Sequence, residues 1–344
     1  MPNAVLTRAI DAVASGRDLG ADEAADVLRE VMQGRASEVE AAGFLVGLRA
    51  KGETVAEIAG LARTMRDLST RVEVQGDDLL DTAGTGGGCP TFNVSTTAAL
   101  VAAGAGCRVA KHGNRSATSQ CGSADVLEAL GARIDLEPAA VAECIEEIGF
   151  GFMFAPGHHS AMRHVVPVRK ALAVRTIFNF LGPLTNPAGA TRQLIGVSDP
   201  GFLDTIAAAL RELGAVKALI VSSEDGLDEI SVSAATRVVE LNDGEIDSFR
   251  LEPEALGVER ASLDDVSAGT PAENAETTRR VLGGEQGAER ALTLANGGAA
   301  IYVGGAAASI EEGVRRAADA IDSGAARELL ERFVERTATL APAR

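Results

Sequence analysis

The sequence predicts an α/β fold, a mostly parallel sheet flanked by helices, with a smaller all-helical unit at the N-terminus. Three observations lead there. Apolar residues recur at helical spacing over residues 1 to about 70. Beyond Gly76 short β-like runs alternate with helical stretches, which implies crossover connections and a sheet covered on both faces. A glycine-rich segment separates the first such run from the helix after it, the order of an anion cradle.

In the N-terminal part the apolar positions are Leu6, Ile10 and Val13, then Ala24, Val27, Leu28 and Val31, with breaks at Gly16, Gly20, Gly34 and Gly52. Phe44, Leu45 and Leu48 continue the pattern, followed by Ile58, Leu61, Met65 and Leu68. This helical unit is expected over 1–72 and the α/β unit over 73–344. Strands are expected at 79–80, 108–110, 152–154, 194–197 and 218–221, with helices at 96–105, 122–130, 138–148 and 200–213. Residues 238–241 and 246–251, joined through Asn242-Asp243-Gly244, read as a hairpin that adds an antiparallel strand. From about 271 onward the pattern is mostly helical. Two clusters interrupt it: 155–170, holding three of the four histidines, and 175–188, rich in turn formers. Such segments shape clefts or visit another domain, and 160–188 is expected to pack on the helical unit.

A chain of 344 residues can bury about three quarters of its unfolded surface. Its composition, 46% hydrophobic and 24% charged, is that of an ordinary globular protein. The net charge of −17 repels polyanions, which argues against nucleic acid or anionic membrane as a partner. It leaves room for a small anion in a local basic pocket. Cys89, Cys107, Cys121 and Cys144 form no C-x-x-C pair and read as reduced thiols. The N-terminus has no basic region before an apolar core, and the stretch around 98–105 is too short to cross a bilayer. Cytoplasmic location is the expectation.

Four constellations carry chemistry. The first is Asp81 to Thr96, whose Gly84, Gly86, Gly87 and Gly88 let bare N–H groups crowd a phosphate, while Asn93, Ser95 and Thr96 suit a helix start. It is neither a Walker motif nor a dinucleotide fingerprint. The second is the segment 110–119, two cations, an amide and three hydroxyls on one loop beyond a strand. Both loops should face one crevice, because ligands bind at the carboxyl ends of parallel strands. The third is Asp225-Gly226-Leu227-Asp228-Glu229, hard oxygens suited to Mg²⁺. Adjacent acidic pairs occur at seven places, as such a composition produces by chance, so only its position lifts this one. The fourth is Arg169, a fork for a carboxylate or simply a surface ion pair. His158, His159 and His164 lack the second ligand cluster that zinc needs, and Cys89 has no base near it in sequence.

Together these segments resemble the anthranilate phosphoribosyltransferases. The matching stretches are Gly84-Thr85-Gly86-Gly87, Thr91 to Thr96, Lys111 to Ser116, Cys121 to Glu128, Gly151 to Pro156, Pro167 to Lys170, Arg175 to Asn179, Leu181 to Pro187 and Asp225 to Glu229. They run in family order over nearly the whole chain. The resemblance implies a nucleoside phosphorylase/phosphoribosyltransferase-like fold, usually a homodimer, with the site between the two units. It implies transfer of the phosphoribosyl group from phosphoribosyl pyrophosphate (PRPP) to anthranilate in tryptophan synthesis. By the same resemblance PRPP would be held by Gly84, Gly87, Gly88, Thr91, Asn93, Val94, Ser95, Thr96, the 111–119 loop and Ser123. That loop comprises Lys111, His112, Gly113, Asn114, Arg115, Ser116, Ala117, Thr118 and Ser119. Anthranilate would be held by Gly84, Asn114 and Arg169, with His159 lining the same mouth. Two Mg²⁺ ions are implied, one on Ser95 and another on Asp228 and Glu229. No acid–base residue is assigned.

One departure stands out: the family usually carries Asp where this chain has Gly88, and Cys89-Pro90 shortens the turn by one residue. A backbone N–H role survives there. Two alternatives remain: a pyrimidine nucleoside phosphorylase, which would share the architecture and a glycine loop, and a non-catalytic nucleic-acid-binding relative, which the charge disfavours.

Overall fold

The computed structural model describes residues 2–116 and 120–342. Four helices open the chain: α1 (Ala4–Ala14), α2 (Ala21–Met32), α3 (Glu38–Lys51) and α4 (Val55–Asp67). Side chains fix where they start. Asn3 Oδ1 accepts from the N–H groups of Val5 and Leu6, and Ser37 and Thr54 form reciprocal caps with Glu40 and Glu57, satisfying N–H groups a helix start leaves free. Leu6, Leu28, Phe44, Leu48 and Ile58 are buried between these helices. The same apolar cluster takes in Val165, Val168, Ile177, Phe178, Leu181 and Leu184, so 160–188 lies against the bundle.

A seven-stranded sheet follows: β1 (Leu80–Gly84), β2 (Val109–Gly113), β3 (Phe150–Phe154), β4 (Arg192–Gly196), β5 (Lys217–Ser223), β6 (Thr236–Asn242) and β7 (Glu245–Leu251). The spatial order is β3-β2-β1-β4-β5-β6-β7. The first five pair in parallel, and the β5–β6 and β6–β7 pairs are antiparallel. Strand order reverses direction between β1 and β4, the switch point at which α/β sheets open a crevice.

Helix α5 (Val94–Gly104) connects β1 to β2, and α6 (Ser123–Leu130) with α7 (Pro138–Ile148) connects β2 to β3. Short helices α8 (Ala155–His158), α9 (Val166–Leu172) and α10 (Phe178–Leu181) lead to β4, and α11 (Leu203–Glu212) leads to β5. The chain closes with α12 (Pro271–Leu282), α13 (Ala288–Val303), α14 (Ile310–Asp322) and α15 (Ala325–Leu340). Alternate strand residues point to opposite faces. Leu194, Leu219 and Val238 join the cluster under α5 and α13, while Ile195, Ile220 and Val239 join the one under α11 and the bundle. Each such buried Leu, Ile or Val contributes about 1.5–3 kcal/mol.

The strands run further than their apolar runs suggest. β1 continues through Asp81, Thr82, Ala83 and Gly84, and β2 includes Lys111, His112 and Gly113. The expectation of one flexible loop over 110–119 is therefore corrected: its first part is sheet, because the polar side chains find partners inside the fold. Helix α5 starts at Val94, not Thr96, and Asn93 occupies its N-cap with no capping side-chain bond. The hairpin turn is two residues, Asp243 (φ 48°) and Gly244 (φ 89°), the positive-φ pair that matches strand twist.

Helices α13 and α14 cross at glycines. A Cβ on Gly313 would lie 2.8 Å from the carbonyl carbon of Gly298. Gly313→Ala is expected to lower stability by about 1–3 kcal/mol, read as a lower urea midpoint. An unchanged midpoint would mean the crossing opens freely.

Candidate active site

The carboxyl ends of β1, β2, β4 and β5 converge. The glycine loop leaves β1 and lies on the end of β4: Thr85 N–H donates to Gly196 O at 2.9 Å, and Cys89 N–H donates to Gly226 O at 3.0 Å. Gly86 (φ 64°) and Gly87 (φ 91°) are left-handed, a conformation glycine adopts at little cost. Gly84 and Gly88 serve proximity instead. A Cβ on Gly84 would lie 3.2 Å from Asp228 Oδ2, and one on Gly88 would lie 2.8 Å from Asp228 N. The loop and the acidic turn thus touch.

Beneath them Lys111 is buried, 1% exposed. Its Nζ donates to Thr82 O at 2.6 Å and Thr82 Oγ1 at 3.1 Å, with Ser95 Oγ at 3.5 Å. Burial brings its pKa down to about 8, against the pull of Asp81 and Glu229, so the amine remains an ammonium at neutral pH. Asp81, on β1, accepts from His112 N–H at 3.1 Å and Asn186 Nδ2 at 2.7 Å. Burial raises its carboxyl to about 6.

Glu229 is raised to about 8, first by burial and then by Asp228, while Lys111 and the Ser95 N–H pull it down. Asp228 is raised by burial, opposed by N–H groups including that of Gly86. Ser95 therefore meets both Lys111 and Glu229 at the start of α5. Thr96 is buried there with an unpartnered Oγ1, and Val94 belongs to the apolar core. Asn93 is engaged elsewhere: Nδ2 donates to Cys121 O at 3.2 Å, and Oδ1 accepts from Asn274 Nδ2 at 2.9 Å. Thr91 pairs in an isolated bridge with Ser267.

Past Gly113, Asn114 N–H donates to Ser123 Oγ at 3.2 Å, which brings Ser123 to this loop. Arg115 turns aside, ion-paired with Asp125 and Glu128 and stacked 5.5 Å from the Phe154 ring centre. Ala117, Thr118 and Ser119 lie outside the described residues. On α9, Arg169 has no ion pair among the described residues; its guanidinium sits 5.7 Å from the Phe178 ring centre and is desolvated. His159 stands with its ring 5.1 Å from that of His112. Both ring nitrogens of His159 and Nε2 of His112 are buried without partners.

No three His, Cys, Asp or Glu side chains converge on one point among the described residues. A carboxylate pair beside a glycine loop suits Mg²⁺, which keeps several waters. Burial raises both Asp228 and Glu229, with Asp228 adding to the rise at Glu229, and a bound cation would offset that cost.

Residues 7–69 match the family described as "Glycosyl transferase family, helical bundle domain" and residues 76–327 the "Glycosyl transferase family, a/b domain". The anthranilate phosphoribosyltransferase of Alkalilimnicola ehrlichii is 51% identical over 330 residues, 96% of this chain and 98% of that protein. The chain belongs to the anthranilate phosphoribosyltransferase family. Among solved anthranilate phosphoribosyltransferases, that of Thermus thermophilus superposes with a TM-score of 0.91 at 47% identity, covering 96% of this chain and 99% of that one. That of Saccharomyces cerevisiae in complex with PRPP and Mg gives 0.90 at 29% identity, covering 98% and 99%. The same yeast enzyme in complex with 4-fluoroanthranilate gives 0.88 at 28%, with the same coverage.

Sequence reasoning missed several residues around this candidate site. Thr82 seats Lys111, Asn186 holds Asp81, and Arg175 with Ser198 holds the glycine loop. Each acts on a group remote in sequence, so no local pattern announces it. The His112–His159 contact was within reach, since His112 lies near the end of β2 and His159 follows the neighbouring β3.

The buried imidazoles generate a pH prediction. Burial lowers His112 to about 3 and His159 to about 4, and also lowers His158. An unfolded chain binds protons at these sites near pH 6.5, so unfolding takes up protons as pH falls through 6.5. Their stabilising contribution is complete above that value and drains away toward pH 3–4. His159→Gln should flatten the acid limb of urea-derived stability between pH 6.5 and 4 by up to about 1.4 kcal/mol per pH unit. An unaltered slope would show that His159 titrates normally.

Proposed function

We propose that this chain transfers the 5-phosphoribosyl group from PRPP to the amine of anthranilate, giving N-(5-phosphoribosyl)anthranilate and pyrophosphate. This is the second step of tryptophan synthesis from chorismate. The observation that carries the reading is the meeting of the glycine loop, Lys111, Ser95 and the Asp228–Glu229 pair at one switch point. It occurs in a chain about half identical to anthranilate phosphoribosyltransferases over nearly full length. As the bond from ribose C1 to the pyrophosphate oxygen breaks, positive charge builds on the sugar and negative charge on the leaving group. Loop N–H groups and the Lys111 ammonium face that negative charge from a low-dielectric site. The amine nitrogen forms the new bond to C1 and releases its proton. Being neutral at pH 7, it needs no strong base, in keeping with a site where we assign none.

Magnesium fits the acidic pair, and when bound it supplies charge neutralisation for the diphosphate. In our reading two ions bind, one at Ser95 and one at Asp228 and Glu229. The diphosphate lies on Gly84, Gly87 and Gly88 with Thr91, Asn93 to Thr96, the 111–119 loop and Ser123. Asn93 and Val94 would contribute through the backbone, since their side chains are committed to other contacts. Anthranilate lies by Gly84 and Asn114, its carboxylate on Arg169. The reading divides the chain into a helical unit (1–72, with 160–188) and an α/β unit (73–344). A homodimer is supported by exposed apolar side chains on neighbouring segments: Val39 and Val46 on α3, and Val166 and Val174 at α9 and just beyond it. A cytoplasmic setting suits a biosynthetic enzyme in which no helix among the described residues could cross a membrane.

Loss of anthranilate fluorescence with PRPP and Mg²⁺, set against phosphorolysis of thymidine or uridine, decides between this activity and a nucleoside phosphorylase. Arg169→Ala should raise the anthranilate KM at least about tenfold, the scale of a lost charge-assisted pair, and the PRPP KM far less. Equal rises would remove the carboxylate assignment. Asp228→Asn should cut kcat/KM for PRPP, with partial recovery at high Mg²⁺; a variant indifferent to Mg²⁺ would deny Asp228 a metal role.

A further inference from the structure

Arg175 lies between α9 and α10, half-buried, and reaches back to the glycine loop. Its Nη1 donates to Gly86 O at 2.6 Å and its Nη2 to Thr85 O at 3.3 Å. Ser198 Oγ donates to the same Gly86 carbonyl at 2.9 Å, and Ser198 N–H donates to Thr85 Oγ1 at 3.2 Å. A Cβ on Gly87 would run into the guanidinium, so the side chain is seated against the loop. Arg175 makes no salt bridge among the described residues, though its charge acts on the Asp228 carboxyl.

A peptide unit is planar and trans, so its C=O and N–H point in opposite directions. Anchoring Thr85 O therefore fixes the N–H of Gly86, which faces Asp228, and anchoring Gly86 O aims that of Gly87. Untethered, two adjacent positive-φ glycines have many other ways to orient those groups. Carbonyls turned into the cleft would repel a diphosphate. A second contact links this clamp to the helical bundle: the backbone O of Arg175 accepts from Nη1 of Arg49, an exposed side chain near the end of α3, at 2.6 Å.

We infer that Arg175 is a positioning residue that aims the Gly87 N–H of the glycine loop at the diphosphate while keeping the Gly86 N–H on Asp228, and that Arg49 ties this aim to the seating of the helical bundle. This rests on the phosphoribosyl-transfer reading above. Steady-state kinetics with PRPP and anthranilate on the full chain, with melting temperatures, test it on R175A, R175K, R49A and R49A/R175A. R175A should raise the PRPP KM about tenfold to a hundredfold, as expected for loss of charge-assisted bonds, with the anthranilate KM within about twofold. R175K should fall between R175A and wild type. R49A should raise the PRPP KM about two- to fivefold, and this effect should vanish in the R175A background, because its route is gone.

Should R175A fail to fold, R175K and R49A carry the comparison. Equal rises in both KM values, an unchanged PRPP KM, or additive effects of R49A and R175A would overturn the inference. A wild-type chain inert toward the substrate pair would overturn the underlying reading instead.

Discussion

Lys111 Nζ rests against Thr82 in the middle of the sheet, out of reach of bulk water. A lone ammonium buried this way costs on the order of several kcal/mol. The fold offsets that cost with two backbone-anchored oxygens and two carboxyls, Asp81 on β1 and Glu229 beyond β5. One side chain thus binds β1, β2, the start of α5 and the acidic turn into a single electrostatic unit. Removing one partner would raise the cost of the buried ammonium. The positive end of α5 points at the same place, so it adds to the cost of the ammonium while both favour an anion there.

That unit explains why polar residues occupy strand interiors. Asp81 and Thr82 would be costly in β1 if unpaired. Asn186, arriving with the turn-rich segment before β4, satisfies Asp81 at 2.7 Å and also donates to Ala110 O at 2.8 Å. The 175–188 segment is therefore more than a linker. It stitches β1 to β2 from below through Asn186 and holds the glycine loop from above through Arg175.

Those contacts mark the limit of what the sequence discloses. The β6–β7 hairpin is legible because Asp243-Gly244 encodes its own turn, and the helices are legible because apolar spacing and caps are local. β1 is not: its apolar signal ends at Leu80, and the residues that let Asp81 and Thr82 stay in the sheet are 29 and 105 positions away. The strand-end rule puts the two loops in one crevice, and Lys111 does meet Thr82 and Ser95 there. Arg115 reads as a free cation in the loop, yet Asp125 and Glu128, on the next helix, absorb it. Arg175 falls in a stretch that carries the resemblance, but its contacts cannot be read there because its acceptors are backbone carbonyls, which every residue possesses.

The glycines of the loop are two populations with different physical reasons. Gly86 and Gly87 are required by their dihedrals. Gly88 and Gly196 are required by Asp228: a Cβ at 88 would lie 3.0 Å from its Cγ, and one at 196 would lie 2.7 Å from its backbone carbonyl carbon. Any side chain at 88 would push Asp228 away from the loop. Position 88 and the 225–229 turn therefore have to be read as a pair. In this chain the acidic group beside the loop comes from the far side of the switch point and not from the loop itself. The shortened turn at Cys89-Pro90 is consistent with that division, since Cys89 N–H bonds directly to Gly226 O and draws the acidic turn down onto the glycines.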